Sequence, residues 1–446
     1  MALEDIRRER IKKLEKLRDL GMDSYPAKTS RTHLVGEALK KFSALAKSKR
    51  RIKLAGRLMA KREHGGSAFF DLKDETGKIQ IYFKKDVLGD TYEKAIEVLD
   101  IGDFLQVEGR AFKTKRGEST VEVLDWTMLA KSLRPLPEKW HGLHDIEERF
   151  RKRYLDLLIN KEVKERLAGR SAVISTLRAK LVKQGFTEVE TPMLQLIPGG
   201  ARARPFATYH NALGTDFYLR VSPELYLKRL LIAGYEKIFE VGKNFRNEGI
   251  DHNHNPEFTM LELYWVYQDY LGLMAFIEKI LKELIPGRWE KMTFAEACKT
   301  LAKKDWRDVA ADDLEGFYKK EVRPKIQEPT LLIDYPESIM QLAKLKKEDS
   351  ALTESFQLLV EGAEVVKGFS ELNDPIFQRR QMECQDQSYR AGDEESSRLD
   401  EDFLEALEYG MPPAAGLGIG IDRLVMLLTN SKNIREVVLF PTLKPK

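Results

Sequence analysis

The 446-residue sequence contains only two cysteines, Cys298 and Cys384, and they lie far apart in the chain. This scarcity excludes a disulfide framework and zinc-finger spacing, and it favours a reducing compartment, so we expect a cytoplasmic protein. No hydrophobic run approaches the ~18 residues of a membrane span, which excludes a membrane helix. The first ten residues lack the apolar core of a signal peptide.

The charges nearly cancel, since 75 lysines and arginines against 71 aspartates and glutamates give a formal net charge of +4. Such a mildly basic chain is compatible with nucleic-acid binding but is not evidence for it. The length predicts two or three domains with an ample core.

Basic residues outnumber acidic ones in residues 1–50, where Ile6, Ile11, Leu14 and Leu17 form a loose helical stripe. This segment is interpreted either as a basic helix that lies along RNA phosphates or as an ordinary surface helix. The sequence does not choose between the two interpretations.

Residues 51–135 carry short strand-like runs separated by turn signals. Five strands with a helical insert over residues 91–99 are typical of an OB-type barrel. Exposed aromatic and arginine side chains on such a barrel can stack on unstacked bases and pair with them. Phe69 and Phe70 are neighbours in one strand, so one of them must point into the core.

In the middle of the chain, two strand-like runs joined by a polar loop at residues 249–255 predict an antiparallel hairpin. Alternation places four side chains of the second run on one face: Phe258, Met260, Glu262 and Tyr264. That face suits a ligand with a flat base and a cation. On the first run, Arg246 and Glu248 share a face, and an arginine there can clamp a phosphate. The alternative is a half-buried hairpin with a cross-strand ion pair.

Near the C-terminus, Gly416, Gly418 and Gly420 alternate along a predicted strand. Alternating glycines weaken a strand, so they indicate a face cleared for a nucleotide rather than pure core. Their spacing differs from the G-x-G-x-x-G of a dinucleotide-binding turn. A helix that begins near Asp422 can present Arg423 to a phosphate.

The stretch F-R-N-E-G at residues 245–249, with H-N-P-E-F at residues 254–258, resembles motif 2 of the class II aminoacyl-tRNA synthetases. The glycine strand resembles their motif 3, and the helix over residues 162–184 with the following strand resembles their motif 1. The stretches E-L-Y-L-K-R-L and F-T-M-L-E-L-Y around motif 2 are similar to bacterial-type lysyl-tRNA synthetases. The resemblance runs from about Glu4 to Pro441.

The resemblance implies an α+β fold, with a basic helical extension over residues 1–50, an OB-fold anticodon-binding domain over 51–135 and a class II catalytic domain over 136–446. The catalytic domain is expected to have an antiparallel sheet flanked by helices. A homodimer formed through motif 1 and no membrane contact are also implied. The implied reaction activates L-lysine with ATP to lysyl-adenylate and transfers the lysyl group to the 3′ end of tRNA(Lys).

The resemblance also implies roles for individual residues. Arg246 and Arg423 are the implied catalytic residues. The implied ATP-binding residues are Arg246, Glu248, His254, Asn255, Phe258, Glu364, Gly420 and Arg423. The implied lysine-binding residues are Gly200, Glu224, Glu262, Tyr264, Lys367 and Glu371. Magnesium is implied at Glu364 and Gln357, and the anticodon is implied at Arg62, Phe69, Gln80 and Glu118.

Among the departures from the usual family pattern, two matter for the site. Gln357 stands where a magnesium-binding glutamate is usual, which leaves the number of metal ions open. Lys367 stands where asparagine is frequent, and we hypothesise that it pairs with the carboxylate of the substrate. A metal cluster at His252 and His254 with Asp251 is not expected, because no further ligand follows at zinc spacing.

Two other functions stay open at this level. One is an enzyme of related fold that attaches a lysine-like residue to a protein, although such enzymes lack the barrel that residues 51–135 predict. The other is a catalytically silent RNA-binding paralogue, which only Gln357 and Lys367 favour.

Overall fold

The computed structural model describes residues 3–137, 143, 145–340 and 342–445. The chain divides into two compact units, Met1–Leu143 and His144–Lys446, and each has its own hydrophobic core. Across these described ranges, no helix combines the length and the apolar character that crossing a membrane requires.

The first unit contains a closed five-stranded barrel with the strand order β1-β2-β3-β5-β4. Closure pairs every strand edge, as expected for an OB-type barrel. The predicted helical insert is α5, between β3 and β4. In chain order, the elements are α1 (Leu3–Asp19), α2 (Val35–Lys40), α3 (Phe42–Ser48), β1 (Arg51–His64), β2 (Ser67–Lys73), β3 (Lys78–Lys84), α4 (Lys85–Leu88), α5 (Asp90–Val98), β4 (Phe104–Lys113) and β5 (Ser119–Ala130).

Strand alternation decides which side chains fill the barrel. Phe70 is fully buried whereas Phe69 is half-buried, so Phe70 is the inward-pointing member of the pair. Helix α1 buries Leu14 and Leu17, and the buried Arg10 donates to the carbonyl oxygen of Ser132 at 3.0 Å. One face of the basic N-terminal helix is therefore fixed by packing within its own unit.

The second unit is built on an eight-stranded sheet with the order β12-β13-β14-β15-β16-β11-β10-β6 and a small sheet with the order β7-β9-β8. Its first half comprises α6 (Ile146–Arg151), α7 (Arg153–Ile159), α8 (Lys161–Lys183), β6 (Thr187–Glu188), β7 (Leu194–Gln195), β8 (Phe206–His210), β9 (Thr215–Leu219), α9 (Glu224–Ile232), β10 (Lys237–Phe245) and β11 (Glu257–Val266). Its second half comprises α10 (Tyr270–Leu281), β12 (Glu290–Thr293), α11 (Phe294–Ala297), α12 (Ala311–Phe317), β13 (Thr330–Ile333), β14 (Ser355–Val360), β15 (Ala363–Ser370), α13 (Pro375–Arg390), α14 (Glu401–Glu408), β16 (Ala414–Gly420) and α15 (Ile421–Leu428).

The sheet buries one face and leaves the other face for a ligand site. Helices α8, α10 and α15 pack on the buried face, where Leu261 and Leu263 of β11 join their core. Alternation sends Met260 and Glu262 to the opposite face. The glycine strand β16 pairs with β11 on one side and with β15 on the other, so it lies between the hairpin β10–β11 and the strand that precedes Glu371.

The long helix α8 ends where the sequence predicts. Gly185 follows it with φ of +82°, a left-handed conformation that favours glycine and stops the helix. Strand β6 then runs parallel to β10 at the edge of the large sheet. The helix and strand of the motif 1 stretch are therefore both present.

Replacing Phe70 by alanine is expected to destabilise the barrel by about 3–5 kcal/mol, because it leaves a cavity in the core. Phe69→Ala is the matched variant and should cost only about 1 kcal/mol, since it removes one stacked aromatic contact with Tyr82. Native-state hydrogen exchange of β2 and β3 peptides measures both opening free energies. Equal losses in the two variants would show that the inward and outward assignments are wrong.

Candidate active site

A cavity of about 730 Å³ opens on the exposed face of the large sheet. Its wall brings together every residue of the second unit that the sequence predicted for the site, except Gln357. These wall residues are Gly200, Glu224, Arg246, Glu248, His254, Asn255, Phe258, Glu262, Tyr264, Glu364, Lys367, Glu371, Gly420 and Arg423. The cavity therefore assembles one site from α9, β11, β15, β16, α15 and the loops between them.

One end of the cavity is acidic, with Glu224, Glu262 and Glu371 all buried there. The buried Lys228 lies beside them, with its Nζ 2.7 Å from Glu224 Oε1 and 2.5 Å from Glu371 Oε2. Glu224 and Lys228 are one helical turn apart on α9, which places both on the same side of the helix. Glu262 accepts hydrogen bonds from Ser222 at 3.1 Å and from the Tyr264 hydroxyl at 3.3 Å.

The three buried carboxyl groups could carry more negative charge than the single ammonium group of Lys228 can neutralise. Burial, reinforced by Glu224, raises the pKa of Glu262 to about 8. Burial also raises the pKa of Glu371, although Lys228 opposes the shift. Glu371 Oε1 is buried and has no hydrogen-bond donor among the described residues. The raised pKa values mean that Glu262 and Glu371 tend to keep their protons. A cationic ligand would balance the negative charge of these carboxyl groups in place of the protons.

Burial of Lys228 would by itself lower its pKa, but the carboxylates of Glu224 and Glu371 outweigh that effect and raise it. Lys228 therefore stays an ammonium ion and neutralises part of the acidic end. The sequence prediction did not include Lys228. Its position four residues after Glu224 within E-L-Y-L-K was the signal that could have found it.

The glycines of β16 make room mainly for protein side chains. A Cβ on Gly416 would lie 2.3 Å from Glu371 Oε1 and 2.5 Å from the Tyr264 ring, and one on Gly418 would lie 2.8 Å from the Met260 methyl. Gly420 is different, because its Cβ would make only ordinary contacts. Gly416 and Gly418, which also line the cavity, therefore allow the acidic end to pack against the strand, and the expectation that the glycines clear space for a nucleotide stays a prediction.

The other end of the cavity carries arginines. The Arg246 guanidinium lies 5.0 Å from the centre of the Phe258 ring, and its Nε is buried without an acceptor in the described part of the chain. Burial lowers the pKa of Arg246, while Glu248 and Glu262 oppose the shift. Since an arginine keeps its charge in proteins, this side chain is a buried cation facing the cavity.

Arg423 lies in the first turn of α15, directly after the glycine strand. Its Nη2 is 3.1 Å from His254 Nε2, and its Nη1 donates to the Glu364 carbonyl oxygen at 3.3 Å. Asp251 holds the other ring nitrogen of His254 at 2.9 Å. Asp422 accepts from the Thr259 backbone N–H at 2.7 Å, which fixes α15 against β11. The resemblance gave no role to Asp422, although its place beside Arg423 pointed to one.

Gln357 lies off the cavity wall, adjacent to Glu364. Its Nε2 donates to Glu364 Oε2 at 2.7 Å, and its Oε1 accepts from the hydroxyls of Tyr318 at 2.9 Å and Tyr335 at 2.8 Å. In this arrangement, Gln357 presents a donor to Glu364 and keeps its oxygen engaged elsewhere. A ligand role for Gln357 requires its amide to rotate, and that role stays a prediction. No sequence signal pointed to Tyr318 or Tyr335.

The predicted anticodon residues lie on the outer face of the barrel. Phe69 pairs in register with Arg62 and with Tyr82, and its ring stacks on Tyr82 with centroids 4.6 Å apart. Arg62 donates to Asp71 at 3.0 Å. Gln80 accepts from Thr120 at 2.9 Å, and Glu118 is exposed two residues before that threonine. The strands thus bring Arg62, Phe69 and Gln80 onto one surface, with Glu118 at its edge.

Comparison with known proteins covers both units. Residues 145–444 match the family model described as "tRNA synthetases class II (D, K and N)", and residues 52–136 match the model described as "OB-fold nucleic acid binding domain". The predicted α+β architecture, an OB-fold barrel followed by a class II catalytic domain, is confirmed.

Curated relatives match along the whole chain. The chain is 44% identical to the lysine–tRNA ligase of Carboxydothermus hydrogenoformans over 100% of this chain and 99% of that protein. It is 45% identical to the lysine–tRNA ligase of Pelotomaculum thermopropionicum, over 100% of this chain and 96% of that protein. For the lysine–tRNA ligase of Clostridium novyi the identity is 43%, over 98% of this chain and 94% of that protein. By this agreement in both units, the chain belongs to the class II aminoacyl-tRNA synthetases.

Proposed function

We propose that this protein is a lysine–tRNA ligase that activates L-lysine with ATP and transfers the lysyl group to the 3′ end of tRNA(Lys). The observation that carries the proposal is a single cavity with buried carboxylates at one end and arginines at the other. The relatives named lysine–tRNA ligase support it. The two free and widely separated cysteines support a cytoplasmic location.

The acidic end suits lysine because the amino acid brings two ammonium groups. Glu224 receives the α-ammonium, while Glu262, Glu371 and Tyr264 surround the ε-ammonium. A neutral or shorter side chain would leave these groups buried and unpaired, so it would bind far more weakly. Gly200, also on the wall, lets backbone approach the ligand.

Lys367 is proposed to pair with the substrate carboxylate. It lies on the cavity wall opposite Gly418 in the sheet and forms no ion pair with any described residue. A cation here would orient the lysine carboxylate toward the arginine end. Asparagine, which is frequent at this position in the family, would offer only a neutral donor.

The arginine end suits a bent ATP molecule. Phe258 stacks on the adenine, Arg246 holds the α-phosphate, and His254 and Arg423 hold the tail, with Glu248, Asn255 and Gly420 completing the wall. The lysine carboxylate then attacks the α-phosphorus in line and pyrophosphate leaves. Positioning and charge neutralisation supply the catalysis, so no protein nucleophile is needed.

Glu364 is the carboxylate that would bind a magnesium ion in this site. Magnesium is commonly held by one or two carboxylates together with substrate phosphates and water. The Glu364 side chain lies on the cavity wall, although Gln357 already donates to one of its oxygens. Within the described ranges, no cluster of three or more histidine, cysteine or acidic residues could hold a metal without such phosphates. When bound, the ion would neutralise phosphate charge.

The barrel is proposed to bind the anticodon through Arg62, Phe69, Gln80 and Glu118, which argues against a protein-lysylating enzyme without a barrel. A homodimer through the motif 1 stretch is also proposed. Exposed apolar side chains at Val182, Met193, Leu194 and Leu196 support that interface. The domain bounds 1–50, 51–135 and 136–446 belong to the same proposal.

Exchange of pyrophosphate into ATP, measured with each amino acid, tests the activation step. We expect strong exchange with lysine and not with the other amino acids. Glu262→Gln should raise the KM for lysine by roughly 100-fold, because it removes one partner of a buried charge pair, and should leave the KM for ATP unchanged. The control is Glu236→Gln, which changes an exposed glutamate outside the cavity.

If Glu262→Gln combined with Glu371→Gln still activates lysine normally, the proposed pocket is refuted. An absence of exchange with every amino acid would support the silent RNA-binding paralogue instead. Charging of tRNA(Lys) transcripts then separates a tRNA ligase from an enzyme that modifies a protein.

Lysine binding is expected to release protons. Because the pKa of Glu262 is raised to about 8, its carboxyl is largely protonated at pH 7 and must ionise to pair with an ammonium. Lysine affinity should therefore rise by up to about tenfold per pH unit below pH 8 and level off above it, where Glu262 is already ionised before lysine binds. Calorimetry in buffers of different ionisation enthalpy counts the protons, and Glu262→Gln should reduce the number. Proton uptake would contradict this account.

Phe69→Ala is expected to raise the KM for tRNA by roughly 5- to 100-fold, because it removes a base-stacking surface. Lysine-dependent pyrophosphate exchange without tRNA should not change. Phe104→Ala, which alters another exposed phenylalanine of the barrel, is the matched control. The anticodon assignment fails if both variants charge tRNA like the wild type.

A further inference from the structure

One cationic side chain on the cavity wall, Arg323, has no part in the lysine or ATP sets described above. It begins the short 3-10 turn Arg323–Lys325. Its Nε is buried and has no acceptor, and its guanidinium forms no ion pair with a described carboxylate. Lys319 on the same wall is different, because it pairs with Glu315 at 2.8 Å. A charge held unpaired at a cavity wall is costly unless a ligand pairs with it.

The turn that carries Arg323 is fixed to the hairpin that carries Glu364. The Gly362 N–H donates to the Ile326 carbonyl oxygen at 2.7 Å, and the Glu361 N–H donates to the Gln327 carbonyl oxygen at 3.0 Å. A Cβ on Gly362 would lie only 3.2 Å from Pro324 Cα, so the two backbones are in close contact. These contacts fix the turn that carries Arg323, and Arg323 and Glu364 both lie on the wall of the same cavity.

The groups around Glu364 are mostly neutral. Gln357 and the hydroxyls of Tyr318 and Tyr335 form one hydrogen-bonded cluster that ends at Glu364. Gln357 contributes no charge, which leaves Glu364 as the acidic member of this cluster.

We propose that Arg323 is a further substrate-binding residue that holds the outer phosphate oxygens of ATP and of the departing pyrophosphate. This assignment rests on the proposed function, which makes ATP the ligand of the cavity. Its grounds are the unpaired guanidinium, the fixed turn that carries it and its position on the cavity wall that Glu364, Arg246 and Arg423 share. A guanidinium binds phosphate through two parallel hydrogen bonds, and it supplies positive charge on the side where Gln357 supplies none.

Calorimetric binding of ATP, pyrophosphate and AMP to the full-length protein, at a fixed excess of magnesium chloride, tests the proposal. Arg323→Gln should weaken ATP and pyrophosphate binding by roughly 10- to 100-fold, because one charged contact is lost. AMP lacks the outer phosphates, so its affinity should stay within twofold. Lys320→Gln, at an exposed lysine of the preceding turn, is the matched control and should change none of the three affinities.

The proposal is overturned if Arg323→Gln leaves ATP and pyrophosphate affinity within twofold of wild type. It is also overturned if AMP binding weakens by the same factor, which would indicate a structural role. Should the glutamine variant not fold, Arg323→Lys replaces it, and an unchanged ATP affinity there contradicts the need for a guanidinium.

These measurements are independent of lysine. An Arg323-dependent affinity for ATP in a protein without lysine-dependent exchange would refute the proposed function and keep this inference. Normal lysine-dependent exchange together with an unchanged ATP affinity of the Arg323→Gln variant would keep the proposed function and refute this inference.

Discussion

The ion pairs of Lys228 with Glu224 and Glu371 are the interaction on which the acidic end of the cavity depends. Burying several carboxylates together is costly, and without a resident ammonium the mutual repulsion would grow further. Lys228 balances only part of the charge, because Glu262 and one oxygen of Glu371 remain without a cation. A ligand that brings ammonium groups would complete the balance, so the interaction that stabilises the buried carboxylates also favours the proposed ligand, lysine.

The sheet keeps this acidic end and the arginine end in one cavity. Strand β11 carries Glu262 and Tyr264 toward one end and Phe258 toward the other, and its neighbour β16 lacks side chains where they would collide. Gly416 is the clearest case, because any larger residue there would displace Glu371 or Tyr264. The order of strands therefore fixes the distance between the groups proposed to bind lysine and the groups proposed to hold the phosphates.

Local patterns predicted much of this arrangement. The alternation of Phe258, Met260, Glu262 and Tyr264 gave the correct face of the hairpin, and the glycine after α8 gave the end of that helix. Contacts between distant segments were not predictable in the same way. Tyr318 and Tyr335 meet Gln357 only because three separate segments converge. The turn that carries Arg323 is fixed by backbone hydrogen bonds that residues 361–362 donate to residues 326–327. No periodicity within one segment encodes such contacts, so the sequence left them unassigned.

Arg246 is the residue on which charges from both ends of the cavity act. Its guanidinium is buried near Glu248 and Glu262, and near Arg423 and Glu364 as well. At neutral pH an ammonium bound at Glu262 would replace the proton that this carboxyl carries, so the charge near Arg246 would change little and its guanidinium would still need an anion. In the proposed reaction the lysine carboxylate and the α-phosphate are two such anions, and both must approach this region before they react. The charge of Arg246 therefore favours assembling the proposed reactants around it, so positioning can promote the reaction without a protein nucleophile.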